Sequence, residues 1–330
     1  MEYTTIPGTD LRVSRVALGT WAIGGWMWGG TDERRSIETI LAAIEHGVTL
    51  IDTAPVYGFG TSERIVGQAV AEFGDRRAVQ LSTKVGLEWR DDDSVVRNGS
   101  RERILQEIDD SLARLQTDYL DVYFVHWPDC RRPVEEAAMT IRGLHEQGVV
   151  KAVGVSNFTP DQMARFRAEC PLHVAQPPYN ILERGIEHDA MPWCDRHQVA
   201  LMTYGVLCRG LLTGKFGPDA RFEGDDLRQA DPKFREPRLS QYLAAVEALG
   251  RLASSRFGKS LPVFAARWVL EMGVSIAIWG GRRPEQMAPL DEVWGWSLDA
   301  ATLAAVDSIL AEHVTAPVGP EFMAPPTGLA

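Results

Sequence analysis

Cysteine is scarce. The 330 residues hold four, Cys130, Cys170, Cys194 and Cys208, with no CxxC pair and no spacing suited to a metal. Reduced thiols in a cytoplasmic protein follow, and neither a disulfide scaffold nor a structural metal centre is expected. No run of about 18 apolar residues occurs, which excludes a membrane-spanning helix. The opening MEYTTIPGTD has neither the basic nor the apolar region of a secretory signal. Positive charge is in the minority: 34 basic against 45 acidic side chains leave a net charge of −11. That balance disfavours nucleic acid and anionic membranes as partners, while leaving room for a local basic pocket. A Gly-x-Gly-x-x-Gly turn between a strand and a helix is also missing. Gly58-Phe59-Gly60 reads as a loop, and Gly24-Gly25 and Gly29-Gly30 lie among tryptophans, so the Rossmann reading lacks its fingerprint.

What is present is ample apolar material, 45% hydrophobic against 24% charged residues, enough for a large single core. Short β-rich runs recur at 16–20, 49–54, 79–85, 120–126, 152–157, 173–179, 200–205 and 275–280, several apolar on both faces, as strands of a covered parallel sheet are. Amphipathic stretches separate them. The helices expected are 33–47; 62–74, with Ser62 as N-cap; 100–115; 133–148, with Pro133 in the first helical position; and 159–170, which uses Pro160 the same way. Eight alternating units predict the α/β class and a closed (β/α)8 (TIM) barrel in one domain spanning 1–330; an open doubly wound sheet is the alternative. Residues 1–15 read as a β-hairpin around Pro7-Gly8 closing the barrel bottom. Residues 217–238 form a long polar loop after strand seven, and the tail VGPEFMAPPTGLA is placed across the barrel mouth.

Barrel chemistry gathers where strands end. Strand two ends at Asp52, with Tyr57 five residues on; strand three ends at Lys84 and strand four at His126. Each alone is explained by a loop cap, a packed ring or a solvated strand end. Together they make a proton donor. A free tyrosine, with a pKa of about 10, is too weak an acid at neutral pH. A nearby lysine favours the phenolate and is expected to lower that pKa by about 2–3 units. In this reading Asp52 holds Lys84, Tyr57 is the general acid, and His126 orients the substrate oxygen.

The segments LGTW (18–21), LIDTAPVYGFGTSE (50–63), STK (82–84), DVYFVHWPD (121–129), GVSNF (154–158), QPPYN (176–180) and RGLLTGK (209–215) resemble, in order and spacing, the aldo-keto reductases. The likeness is greatest to bacterial NADPH-dependent members of the glycerol dehydrogenase and general-stress type. The resemblance implies the catalytic set Asp52, Tyr57, Lys84 and His126. It implies that Tyr204 stacks on the nicotinamide, that Ser156, Asn157 and Gln176 bond its carboxamide, and that Gly19, Thr20 and Trp21 flank the ribose beside Asp52. Gly205, Val206, Leu207, Cys208, Arg209 and Gly210, with Lys215, would run along the pyrophosphate, and Arg228 would clamp it.

In WGGRRPEQM (279–287) the resemblance assigns Gly280, Gly281, Arg282, Arg283 and Gln286 to the adenosine phosphate. The planar forks of Arg282 and Arg283 suit a 2′-phosphate, which favours NADPH/NADP+ over NADH. Leu290 stands where many members carry an adenine-binding Asn. Trp21, Trp26, Trp28 and Trp127 are candidates to wall a substrate pocket for small aldehydes, ketones, dicarbonyls or polyols, glyceraldehyde and methylglyoxal among them. Cys208, near the cofactor, is a candidate redox-sensitive thiol. A monomer is the family expectation. Two rivals stay open: a nicotinamide-binding sensor or subunit such as the potassium-channel β subunits, and a barrel isomerase or hydrolase without nicotinamide.

Overall fold

The computed structural model describes residues 1–327. Eight parallel strands, β1 (Val16–Gly19), β2 (Leu50–Asp52), β3 (Gln80–Val85), β4 (Leu120–Val125), β5 (Val150–Ser156), β6 (Val174–Gln176), β7 (Ala200–Thr203) and β8 (Ile276–Gly280), pair in sequence order and close from β8 to β1. The open-sheet alternative is thereby eliminated. Strands are shorter than expected where prolines intervene: the 173–179 run is a continuous strand only over 174–176, with an isolated bridge at Pro178–Tyr204, since Pro177 and Pro178 cannot donate to the ladder.

The two-residue period of a strand sorts every side chain. Ala17, Leu50, Val122, Phe124, Ala152, Val174, Ala200, Met202, Ile276 and Ile278 point into the lumen and pack together, whereas Leu18, Ile51, Leu81, Val153, Leu201 and Ala277 face the helices. Gly154 makes room for Phe124, whose ring would lie 2.3 Å from any Cβ there. The bottom is closed as expected. Tyr3–Thr5 pairs antiparallel with Arg12–Ser14, and Ile6 and Val13 from this hairpin join the lumen cluster.

The helices form the outer layer, at Glu33–Glu45, Thr61–Phe73, Arg101–Leu115, Val134–Glu146, Pro160–Glu169, Ala190–His197, Arg238–Phe257, Leu261–Glu271 and Ala300–His313. Pro160 and a Thr159–Gln162 capping box start one of them as the sequence suggests. Two caps differ. Gly60, not Ser62, caps the 61–73 helix, because the Ser62 hydroxyl is turned inward to Thr20 and Thr53, at 2.8 and 2.9 Å. Pro133 is itself the cap of 134–146, one residue before the first turn.

A hairpin, Leu87–Trp89 with Val95–Arg97, stands in the loop after β3, where the sequence reading gave none. The 217–238 loop carries two short 3-10 turns and a cluster of Phe222 and Phe234 with Phe216. The tail reaches the barrel mouth through residue 326, and Gly328–Ala330 of that segment lie outside the described residues. No helix among the described residues is long and apolar enough to cross a membrane.

Candidate active site

Extending the same alternation to the rim explains the site. The inward positions that follow the lumen layer are Gly19, Asp52, Lys84, His126, Ser156, Gln176, Tyr204 and Gly280. Register levels them: Asp52 lies opposite Gly19 and Ser82, and Gln176 opposite Ser156. All but Lys84 border one cavity of about 960 Å³ at the strand ends, with Tyr57 among them.

Tyr57 comes from a loop, held by backbone packing. A Cβ on Gly58 would meet the Gly24 carbonyl at 2.0 Å, and one on Gly24 would meet the Tyr57 carbonyl at 2.5 Å. Trp21 stacks on the Tyr57 ring (5.8 Å, 19°) and His126 meets it edge-on at 5.8 Å. Lys84 is fully buried behind them. Its Nζ donates to Asp52 Oδ2 at 2.6 Å and to the Thr53 carbonyl at 2.8 Å, and lies 4.9 Å from the Tyr57 ring centre. Asp52 Oδ1 accepts from Ser82 Oγ (2.8 Å) and Gln176 Nε2 (3.0 Å).

The electrostatics correct one expectation. Tyr57 is held well above its usual pKa, first by burial and then by the Asp52 charge, rather than lowered by Lys84. The physical reason is pairing: Lys84 is bound to Asp52, so the phenol sees little net positive charge and keeps the cost of desolvation. Burial also pulls Lys84 down against the opposing pull of Asp52. His126 is pushed well below the usual histidine value, by burial and then by Lys84. The pocket thus presents a neutral phenol and a neutral imidazole to whatever oxygen lies between them.

The remaining candidates divide. Tyr204 Oη donates to Asn157 Oδ1 (2.9 Å), Asn157 Nδ2 to the His126 carbonyl (3.0 Å), and Ser156 Oγ to the Gln176 carbonyl (2.7 Å). These bonds hold Tyr204, Asn157, Ser156 and Gln176 in place where they border the cavity. After β7 the backbone turns left-handed at Gly205, Cys208, Arg209 and Gly210. Gly205, Val206, Leu207, Arg209 and Gly210 border the cavity, and the two glycines take the left-handed backbone there without a side chain. Cys208 does not border it. Its side chain is fully buried and its thiol is pushed up to about 12 by burial, which removes the ground for a reactive thiol. The Arg209 side chain serves structure, paired with Glu183 and Asp231 within the core.

Lys215, Arg228, Arg282 and Arg283 border another part of the cavity, with Gly280, Gly281 and Gln286. Arg228 is paired with Asp226 and lies against Phe222, Phe216 and Trp28. Arg282 donates to the carbonyls of Trp28 and Gly30. Its pKa is lowered by burial, then by Arg283 and Arg228. Asp226 offsets part of this crowding, and the positive charge left among Arg228, Arg282 and Arg283 is what a phosphate group would fit. Gln286 Oε1 is engaged by the amides of Arg282 and Arg283 and shapes their turn. Leu290 is buried in the core and does not border the cavity.

Trp21, Trp26, Trp28 and Trp127 all border the cavity, joined by Val56, Leu87 and Val95, which the sequence reading missed, and by Phe322 to Pro326 of the tail, which it placed across the mouth. Ser82, whose hydroxyl holds Asp52, and the Thr53 carbonyl, which holds Lys84, were also missed; Ser82 had the strand alternation as its signal, two residues before Lys84, whereas a backbone carbonyl leaves none. Leu87 and Val95 had a weaker signal, the LEW and VVR runs around Asp91-Asp92-Asp93.

Comparison with known proteins agrees with this geometry. Residues 15–311 match the model of the aldo/keto reductase family. The chain is 52% identical over 328 residues to aldo-keto reductase YhdN of Bacillus subtilis, covering 99% of both. It is 34% identical over 302 residues to the NADH-specific methylglyoxal reductase of Escherichia coli, covering 87% of this chain and 91% of that one. Among solved structures, glycerol dehydrogenase AKR11B4 from Gluconobacter oxydans superposes with a TM-score of 0.88 at 49% identity, over 98% and 99% of the two chains.

Proposed function

The chain belongs to the aldo/keto reductase family, and from that premise we propose an NADP(H)-dependent oxidoreductase that interconverts small aldehydes or ketones and their alcohols, with Tyr57 as general acid. The observation that carries this reading is the meeting of Asp52, Tyr57 and His126 at one cavity wall, with Lys84 bound behind them.

Bound in this cavity, the nicotinamide cofactor would supply the hydride. Tyr204 would stack against its ring, with Ser156, Asn157 and Gln176 near the carboxamide, the 205–210 turn beside the diphosphate, and Arg282 and Arg283 at the adenosine phosphate. Tyr57 Oη and the neutral His126 both donate to the carbonyl oxygen, which fixes its place. As negative charge grows on that oxygen, the Tyr57 proton passes to it. Lys84, 4.9 Å from the ring, then faces a developing phenolate and stabilises it. The pair with Asp52 keeps Lys84 charged for this moment despite its burial. Aromatic and apolar walls exclude water and suit small carbonyl substrates. We read the chain as one domain acting as a cytoplasmic monomer.

Glyceraldehyde and methylglyoxal are the first substrates to test, given what the names of two relatives state. Because one relative is NADH-specific, the assay follows both cofactors. Loss of absorbance at the nicotinamide band on adding aldehyde, faster with NADPH than NADH, is the expected result. No aldehyde-dependent oxidation with either cofactor overturns the reading.

A further inference from the structure

Arg97 ends the hairpin strand Val95–Arg97 and is 7% exposed. It takes no part in the chemistry above, yet it joins three pieces of the substrate end. Its Nε and Nη2 donate to the Pro325 carbonyl at 3.2 and 3.0 Å, and Nη1 to the Pro128 carbonyl at 3.2 Å. Its guanidinium lies 4.9 Å over the Trp127 ring. Pro325 and Trp127 both border the cavity, whereas Arg97 does not.

The tail has a second anchor six residues before Pro325. Lys233 Nζ donates to the Gly319 carbonyl (3.1 Å), and Tyr242 Oη accepts from the Val318 amide (3.1 Å). Between the anchors, the amides of Met323 and Ala324 bond back to Pro320 and Glu321 within the segment. Residues 319–325 are therefore a strap spanning the mouth, pinned at one end by Lys233 and at the other by Arg97. The planar fork matters: one guanidinium grips a tail carbonyl twice, reaches a second carbonyl and covers an indole, which the single point of a lysine ammonium does not reproduce.

We infer that Arg97 is a specificity-determining positioning residue, latching the strap to the Trp127 wall and so setting the width of the substrate end. This rests on the reductase reading. Without the latch the strap keeps Lys233 and Tyr242 at one end and the Arg209–Phe322 contact (5.4 Å) in its middle but loses its grip at Pro325, and the site admits bulkier carbonyls while the phosphate-binding end is untouched.

The test uses the full chain, with Arg97→Ala, Arg97→Lys, a truncation after Ala324, and the truncation combined with Arg97→Ala. Three quantities are read: amide exchange of 319–325 without cofactor, NADPH Kd by fluorescence, and kcat/KM for an aromatic aldehyde relative to methylglyoxal. In Arg97→Ala we expect exchange to rise at least about tenfold, as loss of charge-assisted bonds implies. The kcat/KM ratio should move about tenfold toward the aromatic substrate, with Kd within about twofold of the parent. Arg97→Lys should lie between Ala and parent, and truncation should reproduce the shift with no further change in the combined variant. If Arg97→Ala fails to fold, Arg97→Lys and the truncation decide the same question. Unchanged exchange, an unchanged ratio, or additive effects overturn the latch. A parent that turns over no aldehyde overturns the reductase reading instead, and the selectivity with it.

Discussion

Removing Lys84 alone should cost far more than removing Lys84 and the Asp52 charge together. Lys84 is fully buried and bonded to Asp52 Oδ2 at 2.6 Å. Burial outweighs the pull of Asp52 and lowers the Lys84 pKa. In Lys84→Met the Asp52 carboxylate is left with only Ser82 and Gln176 as side-chain donors, both neutral. Breaking a buried pair in this way costs about 3–5 kcal/mol, whereas neutralising both partners is often near neutral. At a urea m-value of about 3 kcal/mol/M, the single variant should unfold about 1–1.7 M earlier. Lys84→Met with Asp52→Asn should return to within about 1 kcal/mol of the parent, while both variants lose turnover. Urea titrations followed by tryptophan fluorescence and far-ultraviolet dichroism decide the matter. A single variant within about 1 kcal/mol of the parent, or a double variant at least as unstable as the single, would refute the reasoning.

Arg282→Ala should weaken NADPH by at least about tenfold and NADH by less than about threefold, read by fluorescence titration; equal weakening means that Arg282 reads no phosphate. Cys208 should stay unmodified by a thiol reagent at pH 8 in the native protein and react on unfolding, because burial pushes its thiol up to about 12. His126 has a depressed pKa in the fold. The unfolded chain therefore binds a proton first, and stability falls as pH drops below about 6.5, by up to about 1.4 kcal/mol per unit for this one group. His126→Gln should flatten the stability-against-pH profile between pH 6.5 and 5 by that amount, measured by urea titration at each pH; an unchanged slope contradicts the buried neutral imidazole.

The barrel and its rim were legible because one physical rule, the two-residue period of a strand, writes both. The alternation that buries Leu50 sends Asp52 to the mouth, and the same step carries Phe124 to His126. Tyr57 was found through its motif, not through periodicity, since it sits in a loop. What escaped depends on contacts distant in sequence. The Tyr57 pKa was read from Lys84 with Asp52 already holding it, but its sign is set first by the burial of the phenol, which depends on how the whole rim packs. Ser62 has the composition of a cap, yet Thr20 and Thr53 claim its hydroxyl. The hairpin after β3 hid in a charged turn, and nothing local marks Arg97 as the grip on Pro325, 228 residues on. Arg209 was expected along the cofactor; it borders the cavity, but Glu183 and Asp231 hold its charge in the core.

The central claim is that the Tyr57 hydroxyl supplies the proton. The direct measurement is aldehyde-dependent NADPH oxidation by the parent and by Tyr57→Phe side by side, with NADPH binding to each followed by fluorescence. Loss of one proton donor should lower turnover by about 10²–10⁴-fold and leave the NADPH Kd within about twofold. A Tyr57→Phe protein that binds NADPH and retains a tenth or more of the parent rate would contradict the assignment.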